Sequence, residues 1–148
     1  MDDIYNNRIL EFAGNIPLIG ILEDADASAQ KHSKLCGSKV KVYIKVLDGT
    51  VVAFSHEVRA CALGQASSSI MANHVVGASS DEIRAARLDM VSMLTNDGDG
   101  PTGRFEDMRV LKPVKDYKAR HASTLLTFDA VVDALDQIEA KHPVAAAS

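Results

Sequence analysis

Two cysteines, Cys36 and Cys61, are the residues of this chain best suited to chemistry. Cys36 lies in Leu35-Cys36-Gly37-Ser38, just ahead of a strongly alternating stretch, and the glycine after it frees the backbone. Cys61 lies in Arg59-Ala60-Cys61-Ala62-Leu63-Gly64, where another alternating stretch gives way to the small residues Ala66, Ser67, Ser68 and Ser69. A thiolate at such a helix start is favoured by the helix dipole and by N–H groups that have no partner within the helix. Two thiolates brought together supply half of a soft-metal or cluster site. Neither cysteine belongs to a CxxC pair, so nothing points to a zinc ribbon or a thioredoxin-type site. Spacing alone is equally compatible with two small buried residues, because free cysteine is commonly buried.

The elements that must position these thiols can be read from periodicity. Val40, Val42, Ile44 and Val46 alternate with Lys39, Lys41, Tyr43 and Lys45, the pattern of a half-buried strand. Asp48-Gly49 is a hairpin turn, and the chain returns from Thr50 to Val58 with Val52, Phe54, His56 and Val58 on one face. The open end of this hairpin lies near Ser38 and Arg59, so antiparallel pairing carries Cys36 and Cys61 to the same end of a sheet.

Helices account for most of the remainder. Residues 2–13 form a short amphipathic helix through Ile4, Ile9, Leu10 and Phe12, ended by Asn15-Ile16-Pro17. Residues 18–35 are a loop-rich lead-in, and 22–34 is the candidate source of a third strand. A helix runs from about Gln65 to Val76, and its small first turn allows a close approach to something. Ser79-Ser80-Asp81-Glu82 is a capping box for a helix with Ile83, Ala86, Met90, Met93 and Leu94 inward. After the breaker-rich loop 96–103, Arg104–Pro113 is a short helix with Phe105, Met108 and Leu111 inward. Residues 123–140 are the last helix, apolar through Leu125, Phe128, Val132, Leu135 and Ile138. The chain reads as one domain, 1–140, with a flexible tail over 141–148.

Composition narrows the function classes. A net charge of −4, no tryptophan and 5% aromatic residues argue against nucleic acid as a partner. No apolar run reaches the roughly 20 residues that span a bilayer, so no membrane role is expected. Asp2 and Asp3 stand where a signal peptide would carry positive charge, which predicts a cytoplasmic protein whose cysteines stay as thiols or bind metal. Asp97-Gly98-Asp99-Gly100 fails the calcium-loop pattern, because its twelfth position is Met108. Gly98–Gly103 lacks the lysine of a phosphate loop, and Ser67-Ser68-Ser69 lacks the elbow of a serine hydrolase. Of the five histidines, His142 lies in the tail, and His74 and His56 read as surface or packing residues. His32 and His121 are the two that could approach the cysteines.

One known family shows the same order of features. Asp3-Ile4-Tyr5, Ile9, Asn15, Gly20 and Leu22 precede Leu35-Cys36-Gly37, and Ala60-Cys61-Ala62 is followed by Ala66-Ser67-Ser68-Ser69-Ile70-Met71. Over residues 1 to about 140 this resembles the U-type iron–sulfur cluster assembly scaffolds, the IscU/NifU/SufU family. The Arg104–Lys118 stretch resembles the insertion of the SufU-like branch. Three positions depart from the family pattern. Ser38 stands where the family carries an aspartate two residues after the first cysteine. If the last helix is aligned on Leu126 and Asp129, the family's third cysteine falls on Ser123; another register gives the ligand role to His121. Phe128 stands where the SufU-like branch tends to carry tryptophan.

Together the elements and the resemblance predict an α+β fold, a small three-stranded antiparallel sheet with helices packed mainly on one face. The site they imply is a pocket at one end of the sheet, ringed by the Cys36 loop, the Cys61 turn and the start of the last helix. The resemblance implies a scaffold or carrier rather than an enzyme. A cysteine desulfurase would pass sulfur to Cys36 or Cys61, and iron or a transient iron–sulfur cluster would be held by Cys36 and Cys61 with Ser123 or His121. Cluster-accepting proteins would be further partners, with an oligomer also compatible. Two alternatives stand beside this: a zinc-dependent sulfurtransferase, and a degenerate, non-catalytic partner-binding homologue. Replacing an aspartate and a thiolate by neutral groups removes about two negative charges from the site, which weakens its hold on a cationic metal.

Overall fold

The computed structural model describes residues 6–34 and 37–141. In chain order the elements are α1 (Asn7–Ala13), β1 (Ala27–His32), β2 (Lys39–Leu47), β3 (Thr50–Arg59), α2 (Ala62–His74), α3 (Ser80–Thr95), the 3-10 segments Gly103–Asp116 and Lys118–Arg120, and α4 (His121–Lys141). The sheet is antiparallel in the order β1-β2-β3. Its third strand, β1, comes from the expected lead-in, with Ala27 and Ala29 turned to the core. The hairpin turn places Asp48 and Gly49 at φ 53° and 75°. Both central residues of the tightest hairpin loop need this left-handed conformation, which glycine and aspartate tolerate.

Val40, Val42 and Ile44 are fully buried beneath helices. α4 lies over β1 and β2, α2 packs on α4 and on β3, and α3 packs on α4. The helices therefore cover one face of the sheet, as expected. The opposite face carries Lys39, Lys41 and Lys45. The outer edge of β3 is closed by two short backbone pairings. Gly20 N–H donates to His56 O and His56 N–H to Leu18 O, while Val51 exchanges bonds with Gly77 and Ala78.

Several expectations are corrected here. Val52 does not share the inner face with Phe54 and His56. Val46 pairs with Val51 and Lys45 with Ala53, so Val52 is the extra residue of a β-bulge. The bulge turns Val51 inward and leaves Val52 exposed at 43%. In the first helix, Asn6 is the N-cap and accepts from Ile9 N–H; Ile9 is buried, but Leu10 is exposed at 48%. The proposed start at residue 2, with Ile4, lies outside the described residues. α2 begins at Ala62, not Gln65, and ends at His74. The expected capping box is present, with Ser79 Oγ accepting from Glu82 N–H and the Glu82 carboxylate from Ser79 N–H.

The predicted helix over 104–113 is a longer 3-10 stretch, Gly103–Asp116, kinked at Phe105 and containing Pro113. Its buried residues are Phe105, Met108, Leu111 and Val114. They recur every third residue, and a helix of three residues per turn places such a series on one face. Phe105 meets Phe128 of α4 edge to face, with ring centroids 5.7 Å apart.

α4 also differs from expectation. Of the expected apolar positions Phe128 and Leu135 are buried and Leu125, Val132 and Ile138 only partly so, while Ser123, Thr124, Leu126, Thr127, Ala130, Val131 and Ala134 are buried as well. The helix is enclosed by the sheet on one side and by α2 and α3 on others, so its contacts select small residues rather than one apolar stripe. Lys141 belongs to this helix; the remainder of the proposed tail, 142–148, lies outside the described residues. No helix among the described residues is long and apolar enough to cross a membrane.

Two measurements check this packing. A methyl group at Gly64 would sit 2.8 Å from Ala60 Cβ and 3.2 Å from Ser123 O. Alanine gains about 1 kcal/mol over glycine from helix propensity, but overpacking against rigid neighbours costs about 1–3 kcal/mol. Gly64→Ala should therefore lower stability in chemical denaturation, and a gain would refute the close contact. The second concerns pH. His56 is buried, its Nε2–H donates to Pro17 O at 2.9 Å, and burial lowers its pKa below the ordinary 6.5. The unfolded chain therefore binds the proton more readily. The contribution of neutral His56 is complete above about pH 6.5 and is lost as pH falls toward the lowered folded value. The thermal midpoint should drop between pH 7 and pH 5, and His56→Gln should flatten that slope.

Candidate functional site

The last cross-strand pair of the hairpin is Lys39 with Arg59. One residue before Lys39 comes Ser38, and two residues after Arg59 comes Cys61. Cys61 is the N-cap of α2, with extended backbone at φ −66° and ψ 170°, and its side chain is half-buried. It makes no side-chain capping bond to the helix. The thiol therefore sits at the positive end of the α2 dipole without being consumed as a cap. The turn is held by Gln65, whose Nε2 donates to Ala60 O at 2.8 Å and whose backbone N–H donates to Cys61 O at 2.9 Å.

Cys61 Sγ lies 3.6 Å from Ser123 Oγ. Ser123 is buried at the start of α4, and its hydroxyl also donates to Arg120 O at 3.2 Å. A hydroxyl has one proton, so with that proton on Arg120 O the oxygen faces Cys61 as an acceptor. Ser38, also buried, accepts from Cys61 N–H through Oγ at 3.4 Å. Ser33 N–H donates to Ser38 O and Gly37 N–H to Ser33 O, with Gly37 at φ 68°. Glycine takes that left-handed conformation at no steric cost. Cys36, the other expected sulfur, lies outside the described residues.

Three elements thus converge, the start of β2, the start of α2 and the start of α4. They bring Ser38, Cys61 and Ser123 together. His121, the alternative third ligand, is turned to the 3-10 segment Gly103–Asp116, where Nε2 lies 3.0 Å from Val114 O and 3.1 Å from Lys115 O. Both neighbours are acceptors, so Nε2 carries a proton. His32, the other candidate, is exposed and paired in register with Lys39. Among the described residues no group of three or more His, Cys, Asp or Glu side chains could hold a metal ion. In the described part of the site, the Ser123 hydroxyl faces the Cys61 sulfur and the Ser38 hydroxyl faces the Cys61 backbone N–H.

The small first turn of α2 was expected to approach something closely, and the structure shows that this is α4; the part played by Gln65 had no signal in the sequence. Gly64 gives α4 room to approach, Ser67 Oγ donates to Thr124 O at 2.8 Å, and Gln65 fixes the Cys61 turn.

The family profile described as the NifU-like N terminal domain matches residues 4–124, a span that includes Cys36, Ser38, Cys61 and Ser123. The crystal structure of the N-terminal part of a nitrogen-fixing NifU-like protein from Brucella abortus superposes with a TM-score of 0.93 at 65% identity, over 95% of this chain and 97% of that one. The iron–sulfur cluster assembly scaffold protein IscU of Thermotoga maritima is 26% identical over 135 residues, 91% of this chain and 94% of the relative. The SufU structure from the thermophile Fervidobacterium islandicum shares the fold, with a TM-score of 0.81 at 21% identity over 90% of this chain and 98% of that one. By profile, identity and fold, the chain belongs to the family of NifU-like N-terminal domains.

Proposed function

We propose that this chain is an iron–sulfur cluster assembly scaffold that receives sulfur on Cys61 and Cys36 and holds iron or a nascent cluster as cargo. The observation that carries this reading is the position of Cys61: half-buried, at a helix N-terminus, with its sulfur unused by the cap and 3.6 Å from Ser123 Oγ. The naming of the Thermotoga maritima relative as an assembly scaffold supports it. Sulfur transfer is attack by a thiolate on the terminal sulfur of a partner's persulfide. The partner's S–S bond breaks, its thiolate leaves, and Cys61 becomes the persulfide, with no net oxidation. The donor is a cysteine desulfurase, and cluster-accepting proteins take the product.

The donor set favours transient over permanent binding. Cys36 and Cys61 supply two thiolates, whereas Ser38 and Ser123 supply neutral hydroxyls, poor ligands for iron or zinc. A resident zinc, which prefers four nitrogen or sulfur donors, fits this set poorly.

Purified protein given a desulfurase, cysteine and ferrous iron under anaerobic conditions should develop a cluster chromophore, and Cys61→Ala should abolish it. A wild-type protein that stays colourless, or a Cys61→Ala variant that colours equally, would refute the scaffold role. Ser123→Cys places a second thiol beside Cys61 and should slow cluster loss to a chelator severalfold, measured by the decay of the same absorbance.

A further inference from the structure

We propose that the open face of the sheet, at the end that leads into Cys61, is a docking surface for an acidic protein segment. His32, Lys39 and Arg59 are direct cross-strand partners on β1, β2 and β3, so their side chains share one face and form a basic row across the whole sheet. Like charges placed directly opposite one another destabilise a sheet, so folding alone gives no reason for this row. Lys41 extends it, in register between Gln30 and Glu57.

The surrounding cations are treated differently. Lys31, on the inner face, pairs with Asp133 at 3.3 Å, and Lys45 pairs with Asp24 at 3.2 Å. Among the described residues no carboxylate lies within ion-pair distance of Lys39, Lys41 or Arg59. The one acid on this patch, Glu57, is engaged by Tyr43, whose hydroxyl donates to it at 2.6 Å. The cations border a shallow groove of about 310 Å³ with Gln30, Glu57 and Val58. All this sits on a chain of net charge −4, so the row is a local reversal of sign.

The shape of the patch selects its occupant. Three adjacent strands space the row over about 10 Å, too wide for one phosphate and suited to several carboxylates along a peptide. Among the described residues the face carries no exposed aromatic platform, since its Tyr43 is buried, which disfavours a single-stranded nucleic acid. The first residues beyond the row are Ser38 and Ala60, so a segment seated there reaches the rim of the Cys61 site. Nothing in this proposal depends on the sulfur or metal chemistry of Cys61, and its test uses neither.

Fluorescein-labelled octaglutamate should raise in anisotropy when titrated with the wild-type protein at low salt. Its affinity should fall at least about fivefold at 0.3 M salt. Lys39→Gln/Arg59→Gln should weaken binding by a similar factor, with Arg8→Gln on α1 as a control that does not. At low salt the double variant should also melt about 1–3 °C higher, because the opposed charges are gone. Absent binding, equal binding by the double variant, or a lower melting point for it would overturn the proposal. So would displacement of the peptide by micromolar pyrophosphate, which marks a small-anion pocket, or tighter binding of a single-stranded oligonucleotide than of the peptide.

Discussion

The first turn of α2 lies against the first turn of α4, and the site's geometry follows from that contact. Gly64 has no side chain where Ser123 O passes, and Ser67 Oγ donates to Thr124 O one residue further along α4. With the two helix starts locked together, Cys61 at the N-cap of one meets Ser123 in the first turn of the other. The hairpin completes the arrangement from the opposite side. Its last pair, Lys39 with Arg59, hands Ser38 and Cys61 to the same place, where Ser38 Oγ accepts from Cys61 N–H. A shift of one residue in this pairing would turn every side chain of the strand to the other face. The bulge at Val52 lies at the far, turn end, so it adjusts the twist without disturbing the register at the site.

The chemistry of the site is set by what surrounds the thiol. Ser38 and Ser123 are buried hydroxyls, each satisfied by a backbone group. They orient Cys61 at little electrostatic cost and add no negative charge. A site with carboxylate and thiolate in these places would bind a cation tightly; hydroxyls shift the balance toward release. For a scaffold whose cargo must leave, weaker retention is compatible with the role proposed here.

The two faces of the sheet are built on different principles. On the inner face Val40, Val42 and Ile44 are fully buried beneath the helices. The outer face carries the lysines that alternate with these residues, and Tyr43, whose pKa is raised by its hydrogen bond to the Glu57 carboxylate, covers part of it. One strand therefore serves the core through its even-numbered residues and the surface through its odd-numbered ones, and both reach the Cys61 end of the molecule.

Alternation along 39–47, the Asp48-Gly49 turn and the Ser79–Glu82 box were legible in the sequence because each is a local preference written in a few adjacent residues. The antiparallel hairpin in turn implied that Cys36 and Cys61 would share one end of the sheet, and among the described residues Ser38 and Cys61 meet there. Other features had no local signature. Val52 turned outward because the bulge depends on how two strands meet, and Phe105, Met108, Leu111 and Val114 took a 3-10 path whose period is easily mistaken for that of an α-helix. The choice of Ser123 beside Cys61, with His121 held by Val114 O and Lys115 O, was decided only by the rotation of α4 about its axis. That rotation is set by tight packing of small residues against the sheet, α2 and α3, contacts between segments far apart in the chain that no reading of neighbouring residues can supply.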